Sequence, residues 1–268
     1  MESLATQMND GVITHGFVRP VSRSLRNCEL LHVVRGEFDV QRASQQHATY
    51  VQALKAAGVA VEVLPEEPDL PDATFVEDTV IMLDEVAVIC RPGRPARQPE
   101  SDRIEPFISR VRNIAKISAP GTIEGGDVLR IGKTLYVGAS TRSNEEGIGQ
   151  LPAHVSRFGY NLVPVAVNKC LHLKTAVTSP ADGLVIGNPE WIDLSVFRHF
   201  EILKVPASEP WGGNTLRVNE LVLVPNNCPQ TAELLVAKGI KVGSVEISEL
   251  QKAEAGLTCL SVLFNGDQ

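Results

Sequence analysis

The chain has 268 residues, 43% hydrophobic and only 5% aromatic, which suits one large α/β or closed β-rich domain. Its formal charge of −7 comes from interspersed acids and bases. With no basic face to neutralise phosphates, nucleic acid and anionic membrane surfaces are poor partners.

Met1 to Gly11 is polar and lacks the apolar core and basic flank of a secretion signal, and no apolar run reaches membrane-spanning length. A first strand is expected over Val12–Val18. A helix follows over Asp39–Ala57, where Val40, Ala43, His47, Val51 and Leu54 recur near helical spacing and Gly58 is the stop. Val59–Leu64 reads as a strand, and Pro65–Pro71 as an acidic, proline-rich loop. Val80–Leu83 and Val86–Cys90 then form a hairpin. The same grammar returns at Val128–Ile131 with Thr134–Val137, at Thr175–Thr178 with Leu184–Ile186, and at Thr215–Val218 with Leu221–Val224. Helical patterns lie between these hairpins, over Asp102–Ala115, Asn144–Phe158 and Thr231–Lys238. Lys241–Ile247 and a last strand headed by Cys259 close the chain.

A small polar cluster opens each apolar strand: Glu77-Asp78, Glu124-Gly125-Gly126-Asp127, His172-Leu173-Lys174, Gly212-Gly213-Asn214, and Gly256-Leu257-Thr258-Cys259. Neighbouring clusters are roughly 40–50 residues apart, long enough for one supersecondary unit each. Hairpins give antiparallel neighbours and helical crossovers give parallel ones, so a doubly wound parallel sheet does not fit. A ring of five ββαβ-like units does. In such a ring the strand starts meet near the axis, and the polar clusters line one central pocket.

Five cysteines, Cys28, Cys90, Cys170, Cys228 and Cys259, are scattered with no C-x-x-C pair, so neither a disulfide framework nor a structural zinc site follows. Reduced thiols in the cytoplasm are the default. A lone cysteine is ordinarily a buried small hydrophobe. Cys259 differs, because a Gly-Leu-Thr turn precedes it and His172 holds the matching place in another unit. A thiol attacks only as a thiolate, which needs a base or nearby cation, and His172 can supply proton chemistry near neutral pH. Glu124 then orients His172 and stabilises its protonated form. Acids facing a thiol raise its pKa, unless the substrate is itself a cation. A guanidinium would neutralise them, offer bidentate donors and favour the thiolate. The chemistry therefore points to attack on an amidine-type carbon.

These residues carry a resemblance. Pro71-Asp72-Ala73-Thr74-Phe75-Val76-Glu77-Asp78, Arg91-Pro92-Gly93, Glu124-Gly125-Gly126-Asp127, Thr141-Arg142-Ser143-Asn144, Leu171-His172-Leu173-Lys174 and Leu257-Thr258-Cys259 lie in order along the chain. Together they resemble the dimethylarginine dimethylaminohydrolases of the guanidino-modifying (pentein) superfamily. The resemblance implies a five-bladed α/β propeller, as one catalytic domain over residues 1–268. It implies a cysteine hydrolase that converts methylated arginine to citrulline and a methylamine through a covalent S-alkylthiouronium intermediate. Cys259 would attack, His172 would protonate the departing amine and later activate water, and Glu124 would orient the histidine. Glu77 and Asp78 match the guanidinium ligands, with Asp78 the direct contact. Arg91 and Arg142 match the pair that holds the α-carboxylate. Asp72 and the carbonyl of Ala253 match receivers of the α-ammonium, and Leu31 a mobile lid leucine.

The resemblance implies no metal and no cofactor, only a small guanidino amino acid as partner, and a monomer or homodimer. Two departures stand out: Trp211-Gly212-Gly213-Asn214-Thr215 is more reminiscent of agmatine deiminases, and Ser143 replaces a frequent threonine. Three other readings compete. A deiminase of arginine or another guanidine would release ammonia; a silent protein of this fold would only bind; and His172, Cys259 and the carboxylates could hold zinc, without any recognised ligand spacing.

Overall fold

The structure, a computed structural model, describes residues 11–266; residues 1–10 of the polar start lie outside them. Among the described residues, five three-stranded sheets repeat one plan: an antiparallel pair, formed by a hairpin in four of them, and a third strand that a crossover returns parallel to the pair's second strand. The second sheet shows the plan in full. Val128–Ile131 pairs with Thr134–Ala139, the helix Glu145–Val155 crosses over, and Asn161–Ala166 lies parallel to Thr134–Ala139. Its hairpin turns at Gly132, whose φ of 58° is the left-handed conformation a tight two-residue turn requires. The crossover helix starts at Asn144, whose Oδ1 accepts the amides of Gly147 and Thr122, each at 2.8 Å. Leu135, Val137, Leu151 and Val155 are fully buried between sheet and helix.

This is the five-bladed α/β propeller that the resemblance implies. The sheet built from both chain ends was not foreseen. Val262–Phe264 pairs antiparallel with His15–Val18, which pairs in parallel with Ala60–Val63, so the termini share the fifth blade and close the ring. Lys241–Val245, read above with the Cys259 strand, belongs to the fourth blade beside Leu221–Pro225. The helix expected over Asp102–Ala115 runs instead over Gln98–Ile108, because Ile114–Lys116 turns back as the parallel strand beside Ala87–Ile89. The third strands Asn161–Ala166 and Glu201–Lys204 likewise escaped the hydrophobic pattern, since they are largely half-exposed edges of their sheets. Thr175 and Ala176 are helical rather than extended, and their strand runs over Val177–Ala181.

All five polar clusters fold as one turn of helix just before the innermost strand of a blade: Val76–Thr79, Gly125–Asp127, Leu173–Ala176, Pro210–Gly213 and Thr258–Leu260. Hydrogen bonds join these heads around the axis. The amide of Gly126 donates to Asp78 Oδ1 at 3.2 Å and that of Leu173 to Asp127 Oδ1 at 3.0 Å. Asn214 Nδ2 donates to the Lys174 carbonyl at 2.8 Å and to Thr258 Oγ1 at 3.0 Å, while Asn214 Oδ1 accepts the Thr258 amide at 3.3 Å. The heads must approach closely. A Cβ at Gly125 would sit 2.0 Å from the Glu77 carbonyl oxygen, and one at Gly256 would sit 2.2 Å from the Asn214 amide.

Asn214 is thus the bond between the fourth and fifth heads. Its replacement by alanine strands buried backbone groups and is expected to lower unfolding stability by about 2 kcal/mol, read as a lower urea midpoint at unchanged slope. An unchanged midpoint would show that the heads are held by packing alone.

Candidate active site

Neighbouring residues on the same heads face two different cavities. On one side, Asp78, His172 and Cys259 line a small, tight cavity together with Asp72, Arg97 and Arg142. On the other, Glu77, Lys174 and Thr258 line a larger axial opening of about 270 Å³ walled by the innermost strands. The two share no residue, and the larger one contains neither the thiol nor the imidazole.

In the smaller cavity the groups are tied to one another. Glu124 is fully buried at the start of the Gly125–Asp127 head. Its Oε2 lies 2.6 Å from His172 Nε2, and its Oε1 accepts the Gly93 amide at 3.0 Å. Arg97 Nη1 and Arg142 Nη1 approach its two oxygens at 3.6 Å each. With Nε2 committed to Glu124, the other ring nitrogen of His172 is the one free for proton transfer; Nδ1 stands 3.8 Å from Asp78 Oδ1. A Cβ at Gly126 would lie 2.7 Å from both Asp78 Oδ1 and His172 Nδ1, so only glycine leaves this face of the ring clear. Asp127 sits behind: Oδ2 accepts from Ser140 and Ser143 hydroxyls at 2.6 and 2.7 Å, and Oδ1 holds the backbone at Leu173. Ser143 Oγ also accepts the Glu124 amide at 3.1 Å, a bond the hydroxyl of either serine or threonine can make. Cys259 Sγ accepts the Gly256 amide at 3.4 Å.

The chain is similar to proteins of a known family. Residues 34–193 match the family described as N,N dimethylarginine dimethylhydrolase, eukaryotic. A curated N(G),N(G)-dimethylarginine dimethylaminohydrolase of Streptomyces coelicolor is 40% identical over 249 residues, 91% of this chain and 95% of that protein. The chain belongs to the dimethylarginine dimethylaminohydrolase family. Among solved structures, the Pseudomonas aeruginosa member in a cysteine-to-serine variant complexed with citrulline superposes with a TM-score of 0.89 at 32% identity, covering 95% of this chain and all of that one. A histidine-to-glycine variant of a dimethylarginine dimethylaminohydrolase, captured as an adduct with S-methyl-L-thiocitrulline, gives 0.90 at 33% identity over 94% of this chain and all of that one.

Within this family's frame, seven of the ten residues singled out in the sequence come together. Cys259, His172, Asp72, Asp78, Arg142 and Ala253 line the cavity, and Glu124 buttresses it. Three do not. Glu77 faces the axial opening and forms an ion pair with Lys174 across the ring of heads. Leu31 is 40% exposed and lines no part of the cavity, which the same segment enters through Glu29 instead. Arg91 lies apart from the cavity. Its backbone bridges Ile123, its Nη1 donates to the Gly121 carbonyl at 3.4 Å, and it lines a separate cleft with Gln98 and Asp102. The second cavity arginine is Arg97, on the turn Pro95–Arg97, which forks Nε and Nη2 onto Glu100 at 3.1 and 2.9 Å and points Nη1 at Asp78 Oδ2 at 2.9 Å. Arg91, Arg94 and Arg97 are three arginines within seven residues. Residue type does not say which turns inward; the proline-started turn does. Glu29 and Glu254 were also missed, with no signal beyond an acid near a glycine or lid segment.

Electrostatics follow from burial and pairing. Burial alone lowers the His172 pKa, but Asp78, the bond to Glu124 and Asp127 outweigh it and carry it up to about 9. Burial raises Glu124, yet His172, Arg97 and Arg142 together hold it down to about 2. Burial, then the Asp78 and Glu77 carboxylates, push the Cys259 thiol well above its usual range. The cavity therefore rests with a neutral thiol beside an imidazolium–carboxylate pair. Asp78, Glu124 and His172 also bring possible metal-ligand atoms within 4.8 Å of one another. Their oxygens already face two guanidiniums, which opposes a further cation.

The His172–Glu124 pair makes a signed prediction. A raised histidine pKa gives stability that is full below its unfolded value of 6.5 and lost as pH rises through about 9. A lowered glutamate pKa gives stability that is full above 4.5 and lost as pH falls toward about 2. The pair's contribution is then greatest between those unfolded values. In a ring-nitrogen NMR titration, His172 is expected to titrate well above an ordinary histidine and to move down in Glu124→Gln. An ordinary midpoint in the wild type would exclude the pair as drawn.

Proposed function

We propose that the chain hydrolyses N-omega-methylated arginine, asymmetric dimethylarginine and monomethylarginine, to citrulline and dimethylamine or methylamine. The observation that carries this reading is one small buried cavity shared by Cys259, His172, Asp78 and two arginines. Asp78 receives the guanidinium, whose positive charge offsets the acids that hold Cys259 protonated and so favours the thiolate. The S–H proton passes to bulk water as the guanidinium binds, and the sulfur then attacks the guanidinium carbon, forming a C–S bond. The C–N electron pair leaves with the methylated nitrogen, which takes its proton from His172 Nδ1. Water then adds to the same carbon and gives one proton back to His172; the C–S bond breaks with its electrons on sulfur, which takes up the second water proton as the citrulline carbonyl forms, and citrulline departs.

At the other end of the substrate, Arg142 Nε and Nη1 are buried without hydrogen bonds, donors that an α-carboxylate would satisfy with Arg97 beside them. Asp72 and the carbonyl of Ala253 receive the α-ammonium. Asp72 is buried, which raises its pKa, with Arg97 opposing, so a bound ammonium would stabilise its ionised form. Glu77 acts from behind the cavity: paired with Lys174 and close to Thr258, it sets the field under the thiol instead of touching the guanidinium.

Among the described residues no helix is long and apolar enough to cross a membrane. All five cysteines are free, which suits work in a reducing cytoplasm.

Asymmetric dimethylarginine, arginine and agmatine, assayed separately for citrulline, amine and ammonia, test the reaction. Turnover of arginine equal to that of the dimethylated substrate would replace this reading with a deiminase. Cys259→Ser is expected to lower kcat by about a thousandfold or more. Arg97→Lys keeps the charge but loses the fork, and is expected to raise KM about tenfold, whereas Arg91→Ala leaves KM within about twofold. The reverse ranking would restore Arg91 as the carboxylate ligand.

A further inference from the structure

Glu254 takes no part in the chemistry above, yet it is 2% exposed and lines the Cys259 cavity. Its backbone stands at φ 60°, a left-handed conformation that a glutamate adopts only against a steric cost. Its two carboxylate oxygens have unequal surroundings. Oε1 accepts three successive amides of the segment that follows the cavity residue Glu29, those of Leu31 at 3.0 Å, His32, and Val33 at 2.6 Å. Oε2 is buried with no hydrogen bond at all. Three neutral amides satisfy the lone pairs of one oxygen but leave the carboxylate's net charge in place, and a buried oxygen without a donor is costly.

The same segment is anchored a second time. The amide of Glu29 donates to Asp72 Oδ2 at 3.1 Å, and Asp72 is also buried in the cavity wall. The residues that grip the 29–33 segment from below are therefore two cavity carboxylates. One of them already receives the α-ammonium in the function proposed above, on which this inference rests. An ammonium offers three N–H donors. Asp72, the carbonyl of Ala253 and Glu254 Oε2 would make three acceptors on the same cavity wall, two of them on adjacent residues.

We infer that Glu254 is a clasp, holding the 29–33 segment closed through Oε1 and contacting the substrate's α-ammonium through Oε2. Closure and recognition of the amino-acid end are then one event: the ammonium compensates the charge that the segment's amides leave behind. Ligands with a guanidino or ureido group but no α-ammonium enter the cavity without locking the segment. Glu254 is a specificity-determining residue for amino acids, set apart from the residues that perform the reaction.

The test uses the intact protein and citrulline, compared with its analogue lacking the α-ammonium, 5-ureidopentanoate. Alkylation of Cys259 by iodoacetamide is followed by peptide mass in the wild type and in Glu254→Gln, across a range of each ligand. The expected result is that citrulline protects the wild type at about tenfold lower concentration than it protects the variant, the size of one lost charge-assisted bond. The analogue should protect both proteins equally. Equal protection of wild type and variant by citrulline overturns the clasp. Should the variant not fold, amide exchange at Leu31, His32 and Val33 in the wild type decides: citrulline must slow it about tenfold more than the analogue does, and equal slowing overturns the inference. Turnover of asymmetric dimethylarginine by the wild type is scored separately. Its absence sinks the proposed reaction without touching the protection comparison.

Discussion

A carboxylate with no solvent exposure holds this site together. Glu124 stays ionised in the interior because its oxygens are hydrogen-bonded to an imidazole and a backbone amide, and two guanidiniums 3.6 Å away offset its charge. Those four partners come from three separate stretches of chain. His172 belongs to the third head, Gly93 and Arg97 to the crossover of the first blade, and Arg142 to the loop after the second hairpin. Removing the carboxylate would leave two buried cations and a histidine facing one another. The arrangement of the blades and the protonation of the histidine are in this sense one constraint.

The five heads make that constraint possible. Each is a single helical turn whose amides and side chains reach the next head, so the ring needs no large apolar core at its axis. Hydrophobic packing lies further out, in separate clusters between each sheet and its neighbours. The axis is left for polar chemistry. Because successive residues of a head point to opposite sides, the Glu77–Lys174 ion pair divides the axial opening from the cavity, and Asp78 and Cys259 face the cavity alone.

How far the sequence could be read is clearest at particular residues. The hairpins were legible because two apolar runs around Gly132 or Asp182-Gly183 carry their own turn chemistry. The third strands of three blades were not, whereas Ala60–Val63 and Lys241–Val245 were: Ile114–Lys116 is three residues long and half-exposed, too short for any period to register. Cys259 was placed at the mouth of a strand, and it lies on the Thr258–Leu260 turn one step before it, the boundary error that hydrogen-bonded heads create. Arg91 and Arg97 are chemically identical in sequence. A β-bridge turns one outward, and a proline-started turn sends the other into the cavity.

Composition, turn residues and the spacing of five polar clusters were enough to specify repeated ββαβ units and to nominate a thiol, an imidazole and an acid as partners. Local sequence carries that information because backbone propensity and side-chain chemistry act over a few residues. Three things were settled only by long-range contact. The two chain ends share a blade, Arg97 rather than Arg91 joins Arg142, and Glu254 reaches over two hundred residues back along the chain to hold Leu31. Such choices depend on which buried charges must find partners once the ring closes, and no segment contains that condition by itself.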